Sequence, residues 1–154
     1  MSCDLLLFGD EQMKYVMIYW SRYGHNKQIV DYLSELLSKK GHETSVFKTE
    51  DSDPGSLPDA DMYIFSASAE AFRLQKNMRK FMKKLSGMQE KNFAIINTHA
   101  MKSKNWLKSM DKILSKKEMK KVAETDFIIG EGQEKGDGLE DGWKEKLKQF
   151  SEKL

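Results

Sequence analysis

Cysteine is nearly missing from this chain. A single one in 154 residues, Cys3, removes an internal disulfide framework and any cysteine-based zinc finger from consideration. Long apolar runs are missing too, and a stretch such as LLLF at residues 5–8 is far short of the roughly 20 residues that cross a bilayer. That stretch has no basic residues before it, so it does not read as a secretion signal. There is no excess of either charge, because 26 Lys and Arg against 24 Asp and Glu leave +2 at pH 7. Such balance argues against a nucleic-acid-binding arm, and 32% charged residues argue against a membrane protein. No G-x-x-x-x-G-K-[ST] loop occurs, which excludes a P-loop NTPase. The histidines His25, His42 and His99 have no metal-ligand spacing among themselves. The composition therefore describes one cytoplasmic globular domain, able to bury roughly two-thirds of its unfolded surface without a staple.

The first twelve residues, MSCDLLLFGDEQ, carry three acids and no base and differ in character from the remainder of the chain. Two readings are open: an extension preceding a domain at 13–154, or an extra edge strand at residues 5–8. From Met13 onward strand and helix patterns alternate. Tyr15, Val16, Met17, Ile18 and Tyr19 form an unbroken apolar run, as expected of a strand buried on both faces. Ile29, Val30, Leu33, Leu36 and Leu37 then recur at helical spacing, and Gly41 after two lysines marks the helix stop. A more polar strand at residues 44–47 suits a sheet edge. Residues 50–58 are rich in Asp, Ser, Gly and Pro, which leaves room for a single crossover turn near Pro58 and Asp59. Further strands are expected at 62–65, 93–96 and 127–129. Helices striped by Met78, Phe81 and Met82, by Trp106, Met110 and Leu114, and by Trp143, Leu147 and Phe150 complete the pattern.

This alternation predicts an α/β three-layer sandwich with a five-stranded parallel sheet in the order 2-1-3-4-5 and helices on both faces. Ligands of such sheets bind outside the carboxyl ends of the strands, where the strand order reverses. The loop after the first strand supplies Ser21, Arg22, Tyr23, Gly24, His25, Asn26 and Lys27 and runs straight into a helix. A hydroxyl, a glycine and a helix start can cradle an anion, because the helix's first N–H groups point outward and its dipole favours negative charge. An ordinary N-cap at Asn26 with a tight turn at Gly24 is the competing reading.

The stretch IYWSRYGHNKQIVDYLSELL resembles the opening of flavodoxins, in which a T/S-x-T-G-x-T loop holds the phosphate of FMN. SASAEAFRLQKNMRKFMKKL falls where that family has its second flavin loop, and INTHAMKSKNWLKSMDKIL where it has its third. The resemblance covers residues 13–154 and implies a flavodoxin-like fold, FMN as cofactor and a role in electron transfer. Ser21 and Gly24 keep the family pattern, whereas Tyr23 and Asn26 replace hydroxyl residues. The resemblance also implies that Ser66, Ala67, Ser68, Ala69, Glu70 and Phe72 line one side of the ring, and Asn97, Thr98, His99 and Ala100 the other. Phe72 and His99 are the stacking candidates, against readings as a core contact and a surface histidine capping a loop. No side chain need act as a catalyst, since the flavin carries the redox chemistry.

Receiver-domain chemistry, which uses the same fold, fails because Tyr19, Trp20, Ser66 and Gly130 stand where its acids and lysine belong. Residues 71–121 carry fifteen Lys and Arg against three acids, whereas residues 50–70 carry six acids and no base. Solvated helix faces explain the lysines; an acidic redox partner or a phosphorylated nicotinamide are the alternatives. The partners expected are FMN and a redox protein or small electron acceptor, with neither nucleic acid nor membrane. Two other functions remain open: a binding module that has lost FMN and docks through its basic face, and an FMN-dependent NAD(P)H or quinone reductase.

Overall fold

The structure, a computed structural model, describes residues 12–22, 24–70, 73–100, 106–129 and 138–154. Strand β1 (Lys14–Tyr19) is the apolar run, and every residue after Lys14 is buried. It leads to α1 (His25–Lys39), then β2 (Glu43–Lys48) and a single 3-10 turn (Thr49–Asp51). The chain continues through β3 (Met62–Glu70), the two-residue β4 (Arg73–Leu74) and α2 (Lys76–Lys83). It ends with β5 (Asn92–His99), α3 (Leu107–Ser115), β6 (Lys120–Ile128) and α4 (Trp143–Ser151). The parallel sheet runs β2-β1-β3-β5-β6, and β4 turns back antiparallel onto the end of β3. Among the described residues, no helix is long and apolar enough to cross a membrane.

Period-two alternation in the central strands divides the core into two layers. Val16, Ile18, Tyr63, Phe65, Phe93 and Ile95 face α2 and α3, meeting Met78, Phe81, Met82, Met110 and Leu114. Tyr15, Met17, Ile64, Ala94, Ile96 and Phe127 face α1 and α4, meeting Ile29, Val30, Leu33, Leu37, Leu147 and Phe150. Helix α1 stops where expected: Gly41 adopts φ +91, and its N–H donates to the Ser38 carbonyl. Because β1 pairs with β2 on one side and β3 on the other, the strand order reverses at β1. Ligands of such sheets bind at the carboxyl ends of the strands beside a reversal of this kind, which here lies next to the β1–α1 turn.

The expected parallel order is present, but three details differ. The described residues form six strands rather than five, because β3 continues through Ser66, Ala67 and Ser68, which pair with Ile96, Asn97 and Thr98 of β5. Ala69 and Glu70 then pair with Leu74 and Arg73. A polar Ser/Ala run reads as loop, yet ladder pairing on both sides of a strand overrides that local signal. The last strand begins at Lys120, seven residues before Phe127. It is an edge strand with little buried surface, and Val122 bulges from the register between Lys121 and Ala123, leaving it 40% exposed. The crossover turn lies at 49–51 instead of near Pro58 and Asp59. The Pro58 carbonyl instead accepts a 2.8 Å hydrogen bond from the Tyr63 hydroxyl. The expectations for residues 1–11 lie outside the described residues.

Phe65 is fully buried between central strands and α2. Phe65→Ala is expected to lower the unfolding free energy by about 3–5 kcal/mol in urea titrations. Val122→Thr on the bulge should stay within about 0.5 kcal/mol of the parent.

Candidate functional site

The carboxyl ends of β1, β3 and β5 converge on the start of α1, and polar side chains fix that convergence. Asn26, in the first turn of α1, is 2% exposed. Its Nδ2 donates to Thr98 Oγ1 at 3.1 Å, and its Oδ1 accepts from Ser66 Oγ at 2.8 Å. One amide thus ties the helix start to β3 and β5 at once. A second amide works one layer away. Asn97 Nδ2 donates to the Ala67 carbonyl at 3.0 Å, and its Oδ1 accepts the Trp106 backbone N–H at 3.0 Å, pinning the entrance to α3. Ser66, Asn97 and Thr98 are all fully buried. These residues, expected to line the ring or hold the phosphate, have their side chains engaged inside the protein.

The turn between β1 and α1 is built differently. Gly24 adopts φ +93, a left-handed conformation that disfavours any other residue except at a cost of about 1–3 kcal/mol, and a Cβ there would enter open space. Among the described residues no side chain caps α1. The Gln28 N–H bonds back to the Gly24 carbonyl, so the N–H groups of the first turn before it have no partner within the helix. Ser21 Oγ is buried and makes no hydrogen bond among the described residues. A buried hydroxyl without a partner costs roughly 1–3 kcal/mol, and an anion seated on the turn would satisfy it. His25 is buried beside this turn, and Arg22 is exposed. Lys27 is exposed and engaged elsewhere: its Nζ lies 2.6 Å from Asp31 Oδ2 one helical turn on. The hydrogen bond that Lys27 donates to Asp31, and then the charge of Asp31, hold the ammonium above its ordinary pKa.

His99 is neither exposed nor at a loop surface, which corrects that reading. It is 3% exposed, and its Nε2 lies 2.5 Å from Asp126 Oδ2 on β6. Lys146 Nζ reaches the Asp126 carbonyl at 2.5 Å and sits 5.0 Å above the Phe127 ring, closing this corner. Asp126 carried no signal in the sequence, since it lies in the polar part of β6, just before the apolar residues that read as strand. Ala67 is buried, Ser68 and Ala69 are half-buried at the end of β3, and Ala100 is exposed after β5. Tyr23, Phe72 and the Glu70 side chain lie outside the described residues. Among the described residues no cluster of His, Cys, Asp or Glu could hold a metal.

A family model described as a flavodoxin domain matches residues 16–136. The chain belongs to the flavodoxin family. That family consists of FMN-binding electron-transfer proteins, and its cofactor is FMN. Solved structures agree on the fold. The flavodoxin of Streptococcus pneumoniae TIGR4 is 18% identical, with 92% of this chain and 97% of that one covered at a TM-score of 0.75. Oxidised flavodoxin 1 from Bacillus cereus is 17% identical, covering 91% and 95%, at 0.73. A short-chain flavodoxin associated with a non-canonical PDU bacterial microcompartment is 14% identical, covering 93% and 97%, at 0.74. No curated protein sequence matches this chain.

The Asn26 amide makes a sharp prediction about this family member. Asn26→Ala leaves Ser66 Oγ and Thr98 Oγ1 buried without that partner, so the flavin-free protein should lose about 2–4 kcal/mol of stability in denaturant titrations. Lys27→Ala, which removes an exposed ion pair, should cost no more than about 0.5 kcal/mol. A stability unchanged by Asn26→Ala would mean that the amide does not brace the helix start.

Proposed function

We propose that this chain binds FMN with its phosphate on the β1–α1 turn and carries electrons to and from a redox protein or small acceptor. The observation behind this reading is the buried Ser21 Oγ, without a partner among the described residues, beside a helix start that no described side chain caps. The family pattern implies a hydroxyl-rich loop, and here two of its three hydroxyl positions are changed. Backbone amides carry most of the load in such a cradle, so Ser21, the left-handed Gly24 and the first N–H groups of α1 suffice as donors. Arg22 adds positive charge at the rim, whereas Lys27 is held by Asp31.

When bound, FMN supplies the electron-accepting and electron-donating chemistry. The chain's own residues position it. Ser68 and Ala69 at the end of β3, and Ala100 after β5, offer small surfaces at the crevice. The engaged amides of Asn26 and Asn97 keep the strand ends rigid, so a bound ring would meet a preformed wall. His99 is proposed as part of that wall, tied to Asp126, and Phe72 as a ring neighbour on the family pattern alone. A cytoplasmic setting is part of the proposal and rests on the scarcity of cysteine.

The visible spectrum of the purified protein, after adding FMN and removing the unbound fraction, tests the reading. Retained flavin absorbance is expected. Ser21→Ala should weaken FMN binding about 3- to 10-fold, the loss of one hydrogen bond. Gly24→Val should weaken it about tenfold or more, because its backbone conformation is strained and its methyls fill the open space. A folded parent that takes up no FMN would contradict the proposal and leave a binding module in its place.

A further inference from the structure

Fifteen basic residues between positions 71 and 121 could simply radiate into solvent, but the fold gathers six of them around one groove. The groove has a volume of about 590 Å³ and lies between α2 and α3, on the sheet face opposite α1 and α4. Arg79 and Lys83 stand one helical turn apart along the α2 side. Lys112 and Lys116, with the same spacing, stand along the α3 side, followed by Lys117. Arg73 on β4 adds a sixth cation. Leu74, Trp106 and Ile113 supply the apolar lining.

Among the described residues no acid lines the groove, and none of the six cations pairs with a carboxylate. Two are engaged only by backbone carbonyls: Arg79 Nη1 with Leu74 at 3.0 Å, and Lys117 Nζ with Lys83 at 2.6 Å. Like charges held this close repel one another, and a partner of opposite sign relieves that repulsion. The pattern also separates ligand classes. A phosphate needs donors that converge on a point. Here the cations form two rows about one helical turn in pitch, and the α2 start is already capped by Gln75 Oε1, which accepts from the Met78 N–H at 2.8 Å. The Trp106 N–H at the α3 start is likewise taken up by Asn97.

We propose that this groove docks an acidic, amphipathic helix on the surface of a partner protein. Its carboxylates, spaced one turn apart, would lie along the Arg79–Lys83 and Lys112–Lys116 rows, with its apolar side chains against Leu74, Trp106 and Ile113. Arg73, Leu74 and Trp106 sit just past the carboxyl ends of β3 and β5. The groove therefore opens at the end of the sheet where FMN is proposed to bind, and the partner's role as a redox protein rests on that reading. Docking itself does not. Rows of exposed lysines favour fast, salt-sensitive association over a dry, tight interface, which suits a transient encounter.

The test uses the full chain, with and without added FMN, and a fluorescein-labelled peptide LEELLEELLEELLE, with a peptide carrying Lys in place of Glu as its control. Fluorescence anisotropy is read at 20 and 300 mM salt. The acidic peptide should bind and the basic one should not, with affinity falling at least tenfold at the higher salt. The exposed pair K112E/K116E should weaken binding at least tenfold, while K40E/K148E, of equal charge change on the opposite face, should alter it less than threefold. Absence of binding overturns the proposal. So does equal binding of the two peptides, or equal loss in both double variants, since either would mean that net charge alone is being read. A flavin-free protein that still passes would separate failure of the cofactor reading from failure of the docking site.

Discussion

The contact on which the rest of this arrangement depends is the Asn26 side chain, held between Ser66 on β3 and Thr98 on β5. Hydrophobic burial places α1 on the sheet through Ile29, Val30, Leu33 and Leu37, but burial is non-directional and leaves the helix free to slide along its axis. Hydrogen bonds are directional, and an amide this deeply buried is costly unless its donor and acceptor both find partners. Those partners occur at only one axial position of the helix. The amide therefore sets where the first turn of α1 begins, and with it where Gly24 and Ser21 stand relative to the crevice.

This also accounts for the chain's departure from the hydroxyl-rich loop of its family. Asn26 occupies a position where a threonine is usual, and its amide faces inward to the strands instead of outward to a ligand. In the proposed cradle the outward task falls to groups that a side-chain comparison does not see: the first N–H groups of α1 and the buried Ser21 hydroxyl, which has no partner among the described residues. Helix polarity adds to these donors, because the partial positive charge at the start of a 15-residue helix acts on whatever anion approaches its axis. Charged side chains contribute less than their number suggests, with Lys27 engaged by Asp31 and the main basic cluster one face away, around the α2–α3 groove.

The parallel order and the central strands were legible because Tyr15 to Tyr19 form a two-sided apolar run, and because the helix stripes of α1 to α4 are regular. The β1–α1 turn could be read as a candidate cradle, beside an ordinary N-cap at Asn26, because glycine, hydroxyl and helix start are adjacent in sequence. The rest depended on contacts distant in the chain. Asn26 and Thr98 are 72 residues apart, and His99 and Asp126 are 27 apart. Neither pairing leaves a local pattern. The first seven residues of edge strand β6 were hidden by their polarity, and the β3–β4 hairpin by a Ser/Ala run that resembles loop composition. The lysines were visible one by one, but only the packing of α2 beside α3 makes them face one another.

In the proposed site the β1–α1 turn holds a phosphate, and this contact anchors the cofactor. Comparing FMN with riboflavin by quenching of flavin fluorescence tests it directly, since the two differ only in the phosphate. FMN should bind at least about 100-fold more tightly, the equivalent of roughly 2.7 kcal/mol placed on that one group. Equal affinities would contradict it, because a flavin held by its ring alone would leave the turn, its glycine and the Ser21 hydroxyl without the role assigned to them.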